Sequence, residues 1–176
     1  NHPSWANISP DGQTVIFGKN FNLFMMSGDD YQLVLDARRG KTGKAADEAG
    51  DEVDVTEIQL TTDGEDHYSY AGGGRGQSDN EKEETKDDRK RAGGSWSKDS
   101  GRFALVRSDQ REGSDLWVIR SVGNKRPELE TYRYDMPGEE NITQQEMKVV
   151  DIATRQVTDI DTEAFVDQTL IVASDR

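Results

Sequence analysis

The chain has no cysteine in its 176 residues. That excludes a disulfide framework, a thiolate zinc site and a thiol nucleophile. Histidine is scarce too: His2 lies in a terminal segment and His67 in a strand candidate, so a Ser-His-Asp triad within the chain is not expected. No Gly-x-Ser-x-Gly pentapeptide occurs. Gly93-Gly94-Ser95-Trp96-Ser97 has Ser97 where the last glycine belongs, and it precedes a strand instead of the helix that a nucleophile elbow requires. No apolar run approaches the roughly 18 residues of a membrane span, and Asn1-His2-Pro3 does not begin like a signal peptide. Positive charge is short as well. Lys plus Arg number 22 against 35 Asp plus Glu, a net charge of -13, which makes nucleic acid a poor partner. Hydrophobic residues reach only 32%, pointing to long polar loops or to a fragment of a larger domain.

What is present is a repeated pattern. Ser97-Lys98-Asp99-Ser100-Gly101 is a cluster of turn formers, followed by the apolar run of Phe103 to Val106, a polar spacer and then Leu116-Trp117-Val118-Ile119. The spacing predicts that these two runs form an antiparallel hairpin. Earlier, Ser9-Pro10-Asp11-Gly12 precedes Val15-Ile16-Phe17, a spacer and Leu23-Phe24-Met25-Met26, the same order of turn, strand, spacer and strand. Repetition of this kind marks a propeller blade or a similar stacked β unit.

Between these landmarks, Ser27-Gly28-Asp29-Asp30 ends a strand, and Tyr31-Gln32-Leu33-Val34-Leu35 reads as another short one. Residues 36–54 lack periodicity and read as a long polar loop. Residues 56–61 alternate and resume the sheet, and His67-Tyr68-Ser69-Tyr70 is a short aromatic strand candidate stopped by glycines 72, 73, 74 and 76, which read as a flexible hinge. Residues 77–91 interleave acids and bases without apolar anchors and read as a charged loop, either mobile or a solvated helix. Residues 122–141 form an extended crossing segment around Tyr132-Arg133-Tyr134. Residues 145–152 and 157–160 form a further hairpin, and Phe165-Val166 with Thr169-Leu170-Ile171-Val172 begin another unit. Long helices are nowhere indicated. The fold class is therefore all-β with few or no helices.

Two features together carry a family resemblance. Ser9-Pro10-Asp11-Gly12 and Trp96-Ser97-Lys98-Asp99 each open a strand, and Tyr134, Gly138 and Asn141 lead into the strand from Met147 to Asp151. In these respects the chain resembles the N-terminal β-propeller of the dipeptidyl peptidase IV branch of the prolyl oligopeptidase family. The resemblance implies that residues 1–176 are a fragment of a single N-terminal propeller domain, a partial propeller of about three blades out of eight. It also implies a parent serine exopeptidase in which the propeller caps an α/β-hydrolase domain and admits peptides. Its partners would be the peptide substrate, the missing blades and the hydrolase domain, with a homodimer of the parent among the assemblies allowed, and with no cofactor. An extracytoplasmic bacterial location, such as the periplasm, goes with this reading. In that family a pair of glutamates binds the free amino terminus of the substrate, and Glu83 and Glu84 lie about where the pair would be. Two carboxylates can hold an ammonium by charge-assisted hydrogen bonds and so measure a peptide from its end. A solvated loop is the competing reading of the pair.

Other motifs carry less. Gly40-Lys41-Thr42 resembles the end of a phosphate loop, but Leu35 stands where the first glycine belongs. The acidic stretches 47–54 and 63–66 lack the ligand spacing of a calcium loop and read as solvated surface. Asn7-Ile8-Ser9 and Asn141-Ile142-Thr143 fit the glycosylation pattern, and Trp5, Trp96 and Trp117 are expected to pack in the core. The expected function is a noncatalytic propeller portion of a dipeptidyl-peptidase-like enzyme, scaffold and substrate gate. The alternative is a stand-alone binding propeller of the bacterial envelope.

Overall fold

The computed structural model describes residues 2–72, 77–123, 125–166 and 168–173. Turn chemistry builds it. In the first copy of the repeat, Ser9 Oγ donates to Asp11 Oδ1 at 2.6 Å and accepts from Thr14 N at 3.0 Å, while Ser9 N donates to Thr14 O at 2.9 Å. In the second, Ser97 Oγ donates to Asp99 Oδ1 at 2.6 Å and accepts from Arg102 N at 2.9 Å, while Ser97 N donates to Arg102 O at 2.9 Å. The left-handed residue is Gly12 (φ 72°) in one turn and Ser100 (φ 60°) in the other. The repeat read in the sequence is thus reproduced bond by bond.

Each turn opens a four-stranded antiparallel sheet. The first consists of β1 (Asn7–Ile8), β2 (Thr14–Lys19), β3 (Asn22–Ser27) and β4 (Ile58–Gln59), paired in that order. Asn20 and Phe21, at φ 46° and 64°, make the two-residue loop that joins β2 to β3 with the twist that paired strands require. Both faces of this sheet are covered. Val15, Phe17 and Met26 pack with Trp5, Tyr31 and Val34 on one side, whereas Ile16 and Leu23 join Tyr70, Phe103, Leu105 and Val150 on the other. Double burial explains the unbroken apolar run Val15-Ile16-Phe17, and each fully buried side chain of this size contributes roughly 1.5 to 3 kcal/mol.

Between β3 and β4 the chain is helical, contrary to the expected strand at 31–35 and loop at 36–54. Helix α1 (Gly28–Arg38) starts at Ser27, whose Oγ accepts from Asp30 N at 3.0 Å, with Asp29 and Asp30 in its first turn. Those residues end a strand, as expected, but they do so by capping a helix. Helix α2 (Lys44–Asp51) lays Ala46, Ala49 and Gly50 against it.

The second sheet runs β5 (Gly94–Trp96), β6 (Arg102–Asp109), β9 (Gln144–Asp151) and β10 (Gln156–Ile160), paired in that order. The hairpin of β9 and β10 agrees with the sequence reading. The expected pairing of 103–106 with 116–119 does not form. Both edges of β6 are taken, by β5 and by β9 from Arg102↔Asp151 to Asp109↔Gln144, and Gln110 N then donates to His67 O at 2.9 Å. The chain leaves the sheet there, and β7 (Asp115–Arg120) pairs instead with β8 (Glu128–Arg133), inside the segment expected to cross as extended chain. Trp117 lies on the outer face of this hairpin and is 70% exposed, so it is not a core residue. Trp5 is buried, and Trp96 packs against the shared cluster.

Two further expectations change, at 67–70 and after 163, and at 77–91 the solvated-helix alternative holds in part. Residues 67–70 do not form a strand, only the single bridge Glu65↔Tyr68. The charged segment 77–91 includes helix α3 (Asp79–Glu84), where Ser78 and Glu81 form a reciprocal capping box, and Arg89 tucks its guanidinium over the rings of Trp5 and Phe17. Residues 163–165 make one turn of 3-10 helix, with no strand after it among the described residues. Of the stretch 72–76 read as a hinge, Gly72 N donates to Arg91 O at 2.9 Å, and residues 73–76 lie outside the described residues. Asn7 of the first glycosylation pattern is buried, whereas Asn141 of the second is exposed.

Candidate functional site

The period-2 pattern of β6 sends Phe103, Leu105 and Arg107 to one face, and β9 answers with Val150, Lys148 and Glu146 directly opposite. Arg107 is therefore carried into the interior, where it is 1% exposed. Its Nη1 donates to Asp63 Oδ2 at 2.9 Å and its Nη2 to Glu146 Oε2 at 3.1 Å. The guanidinium carbon sits 3.3 Å from the centroid of Tyr68 and 4.2 Å from that of Tyr70. Tyr68 OH donates to both oxygens of Glu146, and Tyr70 OH donates to Asp63 at 3.2 Å. Burial pushes the Tyr68 hydroxyl up to about 12, with the Glu146 hydrogen bond adding to the effect. For Glu146, burial favours the neutral acid, but hydrogen bonds from Tyr68 and Arg107 outweigh it and hold the carboxyl below its ordinary value. A second guanidinium, that of Arg111, covers the other neighbourhood of the Tyr68 ring at 3.7 Å and pairs with Glu65 and Asp109. This cluster ties the loop 61–70 to the second sheet. It was not singled out in the sequence, although the alternation Phe103, Leu105, Arg107 was the signal that could have found it.

Beside the cluster lies a cleft of about 1150 Å³. Its floor is the other face of the second sheet, with Val106, Ser108 and Gln145, and the β7–β8 hairpin overhangs it with Leu116, Val118 and Tyr132. The hairpin alternates as a strand should: Leu116 and Val118 face the cleft while Trp117 and Ile119 face outward. His67, Ser69 and Tyr70 form one side, and Lys82, Lys86 and Lys90 line another. Gly18 fixes the position of that side. A Cβ built on it would stand 2.4 Å from Ala71 Cα, so only glycine lets β2 approach so closely, and its N and O bond Lys90 O and N at 2.7 and 2.8 Å.

His67 has a φ of 61° and a side chain only 11% exposed, with Nε2 3.2 Å from Asp66 Oδ2 and 3.8 Å from Asp79 Oδ1. Burial lowers its pKa, and the two carboxylates oppose that shift only in part. Nε2 faces the two acids, and Nδ1 is buried without a partner among the described residues. Arg133 donates through Nη1 to Asp115 Oδ1 and Gly113 O, both at 2.6 Å, and braces the hairpin.

Glu83 and Glu84 stand next to this cleft and do not line it. Both are exposed on α3, and Glu83 is paired with Lys86, whose side chain does reach the cleft. Ser95 and Ser97, of the near-miss to the nucleophile elbow, sit on β5 and in the turn between β5 and β6, and Ser97 is spent on the turn bonds already described.

Residues 49–174 match the family described as the dipeptidyl peptidase IV (DPP IV) N-terminal region. The chain belongs to that family. Among solved structures it is similar to the dipeptidyl peptidase 4 of Porphyromonas gingivalis, at 24% identity and a TM-score of 0.59, over 92% of this chain and 19% of that one. It is also similar to a protein of Bacteroides ovatus described as a dipeptidyl aminopeptidase IV, at 13% identity and a TM-score of 0.51, over 91% of this chain and 17% of that one. The chain thus spans about a fifth of the length of these relatives, and at such identities they speak for its fold. No curated protein matches it. Among the described residues, no helix is long and apolar enough to cross a membrane.

Proposed function

We propose that this chain is part of the β-propeller that scaffolds and gates a dipeptidyl-peptidase-like serine peptidase. The observation that carries the reading is the family match across residues 49–174. The two meandering sheets, each opened by the same turn, support it. Each sheet is one blade. The α1–α2 pair and the β7–β8 hairpin are insertions within blades, and 77–91 is the charged connection between them. A nucleophile, base and oxyanion hole must be preassembled, and the sequence offers no elbow for them, so an α/β-hydrolase domain supplies the chemistry. Glu83 and Glu84 receive the substrate's free amino terminus, with the ammonium displacing Lys86 from Glu83.

The test uses the full-length protein with a free-amine Gly-Pro chromogenic substrate and its N-acetylated counterpart. Cleavage of the free-amine substrate alone is expected. Replacing Glu83 and Glu84 by Gln raises KM by about tenfold with kcat little changed, the loss expected for a charge-assisted hydrogen bond made equally in ground and transition states. Absence of hydrolysis, or equal cleavage of the acetylated substrate, would overturn the peptidase reading. Unchanged KM in the double variant would remove the glutamate pair from it.

A further inference from the structure

His67 sits where three elements meet beside the cleft. Its backbone O accepts from Gln110 N at 2.9 Å, the bond at which the chain leaves β6 for the β7–β8 hairpin. Its Nε2 approaches Asp66 of its own loop and Asp79, the first residue of α3. The ring is enclosed, yet Nδ1 has no partner among the described residues. The charged groups acting on it are Asp66 from the loop, Asp79 and Lys82 from α3, and Arg133 from β8, while the end of β6 presents the uncharged Gln110. Protonation makes both ring nitrogens donors, so Nδ1–H becomes a buried donor without an acceptor, within the field of two cations. The acids offset this weakly. Asp79 already holds Lys82 at 2.9 Å, and Asp66 is half-exposed, with Oδ1 taken by His67 N at 2.9 Å. The lowered pKa of the ring agrees with that balance.

The hairpin is the element placed to respond. β7 and β8 pair with each other and with neither four-stranded sheet, and Asn80 of α3 reaches Leu129 O of β8 only at 3.4 Å, a long hydrogen bond. Helix α3 buries none of its own side chains. We propose that protonation of His67 opens the cleft, the added charge driving the loop 61–70 and Arg133 apart so that the β7–β8 hairpin swings away from the sheet beneath it. Separation at the base of the hairpin uncovers Val106, Ser108 and Gln145 on the cleft floor. The sign follows from proton linkage. In the open form His67 is solvated and takes up its proton near the ordinary value of about 6.5, so below that pH the open form binds more protons than the closed one. The closed cleft is therefore favoured above about pH 6.5 and loses ground as pH falls from there toward the lowered value of the enclosed ring. A single proton limits the gain to about tenfold per pH unit. Asp63 and Glu146, held below their ordinary values, stay ionised over that range, so the response belongs to the histidine.

Amide hydrogen exchange of the full-length protein at pH 7.5 and pH 5.5, corrected for the intrinsic rate, tests the proposal. Exchange at His67 and Gln110, whose amides bond Asp66 Oδ1 and His67 O, should be about fivefold faster at pH 5.5, while the amides that pair β6 with β9 stay unchanged. His67→Asn, which suits the left-handed backbone at this position, and His67→Gln should both lose the pH dependence. Thermal melts at pH 7.5 that coincide with the native protein establish that the variants fold. The native ring supplies a readout that needs no variant, since its titration followed by NMR should have a midpoint below about 6.5. Exchange that does not change with pH, variants that keep the native response, or a ring midpoint at or above 6.5 would each overturn the gate. So would slower exchange at pH 5.5, which would make His67 a clamp drawn in by Asp66 and Asp79. Exchange is read without substrate, so the result stands apart from the peptidase reading.

Discussion

Arg107 occupies a position where the alternation set by Phe103 and Leu105 would accept a third apolar residue, and it is the largest fully buried side chain among those described. A guanidinium is tolerated there because two carboxylates and two tyrosine rings replace the water it loses. Arg107→Met keeps the stem and removes the charge, leaving Asp63 and Glu146 facing each other's field. Since both acids are partly exposed, the loss should be about 3 kcal/mol at pH 7, the low end for breaking a buried pair, measured by urea denaturation. The pH dependence has a definite sign. Burial alone would raise Asp63 and Glu146, but hydrogen bonds from Arg107 and the tyrosines bring both below their ordinary values in the folded state. Their contribution is therefore present above the unfolded carboxylate range and disappears as pH falls through the folded values. Native protein should lose stability on acidification below about pH 4.5 faster than Arg107→Met, so that the gap between them narrows. A gap that stays constant from pH 7 to pH 3 would assign the loss to packing and not to charge.

At the scale of elements, the sequence was readable where an element answers to its own residues and misleading where it answers to a partner. β2, β3, β9 and β10 follow from apolar runs bounded by turn formers, and the repeated turn was legible as a turn, its Ser-to-Asp hydrogen bonds being seen only in the structure. Helix α1 was missed because Tyr31-Gln32-Leu33-Val34-Leu35 has strand composition, although Ser27 with Asp29 and Asp30 is a capping signature that outweighs it. The spacing between β6 and β7 indicated two strands correctly but could not say that β9, more than thirty residues on, would take the edge of β6. The cleft was invisible for the same reason, since its walls come from 67–72, 82–90, β6 and β8, and no local pattern joins them. Glu83 and Glu84 were readable as a charged pair on a solvated segment, and their exposed place on α3 is compatible with that. Exposure reverses the expectation for Trp117 alone, while Trp5 and Trp96 pack as expected. Trp117→Ala should change stability by less than about 0.5 kcal/mol, as surface substitutions do, whereas Trp5→Ala, which removes the edge contacts to Phe17 and Tyr31 and the seat of Arg89, should cost about 3 to 5 kcal/mol. Chemical denaturation of the two variants side by side checks this, and a large effect at Trp117 would mean that the outer face of the hairpin is covered in solution.

For the molecule as a whole, the net charge of -13 is distributed unevenly. Side chains of Arg89, Arg107 and Lys148 are drawn inside and paired with acids, so the surface is more acidic than the composition alone implies. What joins the two sheets is mainly apolar, with Ile16 and Leu23 from the first against Phe103, Leu105 and Val150 from the second. Apolar contact does not fix relative position, and Asn7 does. From β1 its Nδ2 donates to Ala92 O at 3.1 Å and Gly94 O at 3.3 Å, and its Oδ1 accepts from Trp96 Nε1 at 3.0 Å. One buried side chain thus satisfies two groups of the neighbouring sheet and one of the segment leading into it, helped by Asp11 N donating to Ser100 Oγ, which links one entry turn to the other. Asn7→Leu fills the space but leaves the indole N–H and two carbonyls unsatisfied, which should cost about 3 kcal/mol. Because both sheets share one core cluster, the native chain should unfold in a single urea transition seen alike by tryptophan fluorescence and by circular dichroism. In Asn7→Leu the midpoint falls while the two probes remain coincident, since the apolar contact still couples the sheets. Separate transitions for the two probes in the native chain would show instead that each sheet is stable alone and that Asn7 only orients them.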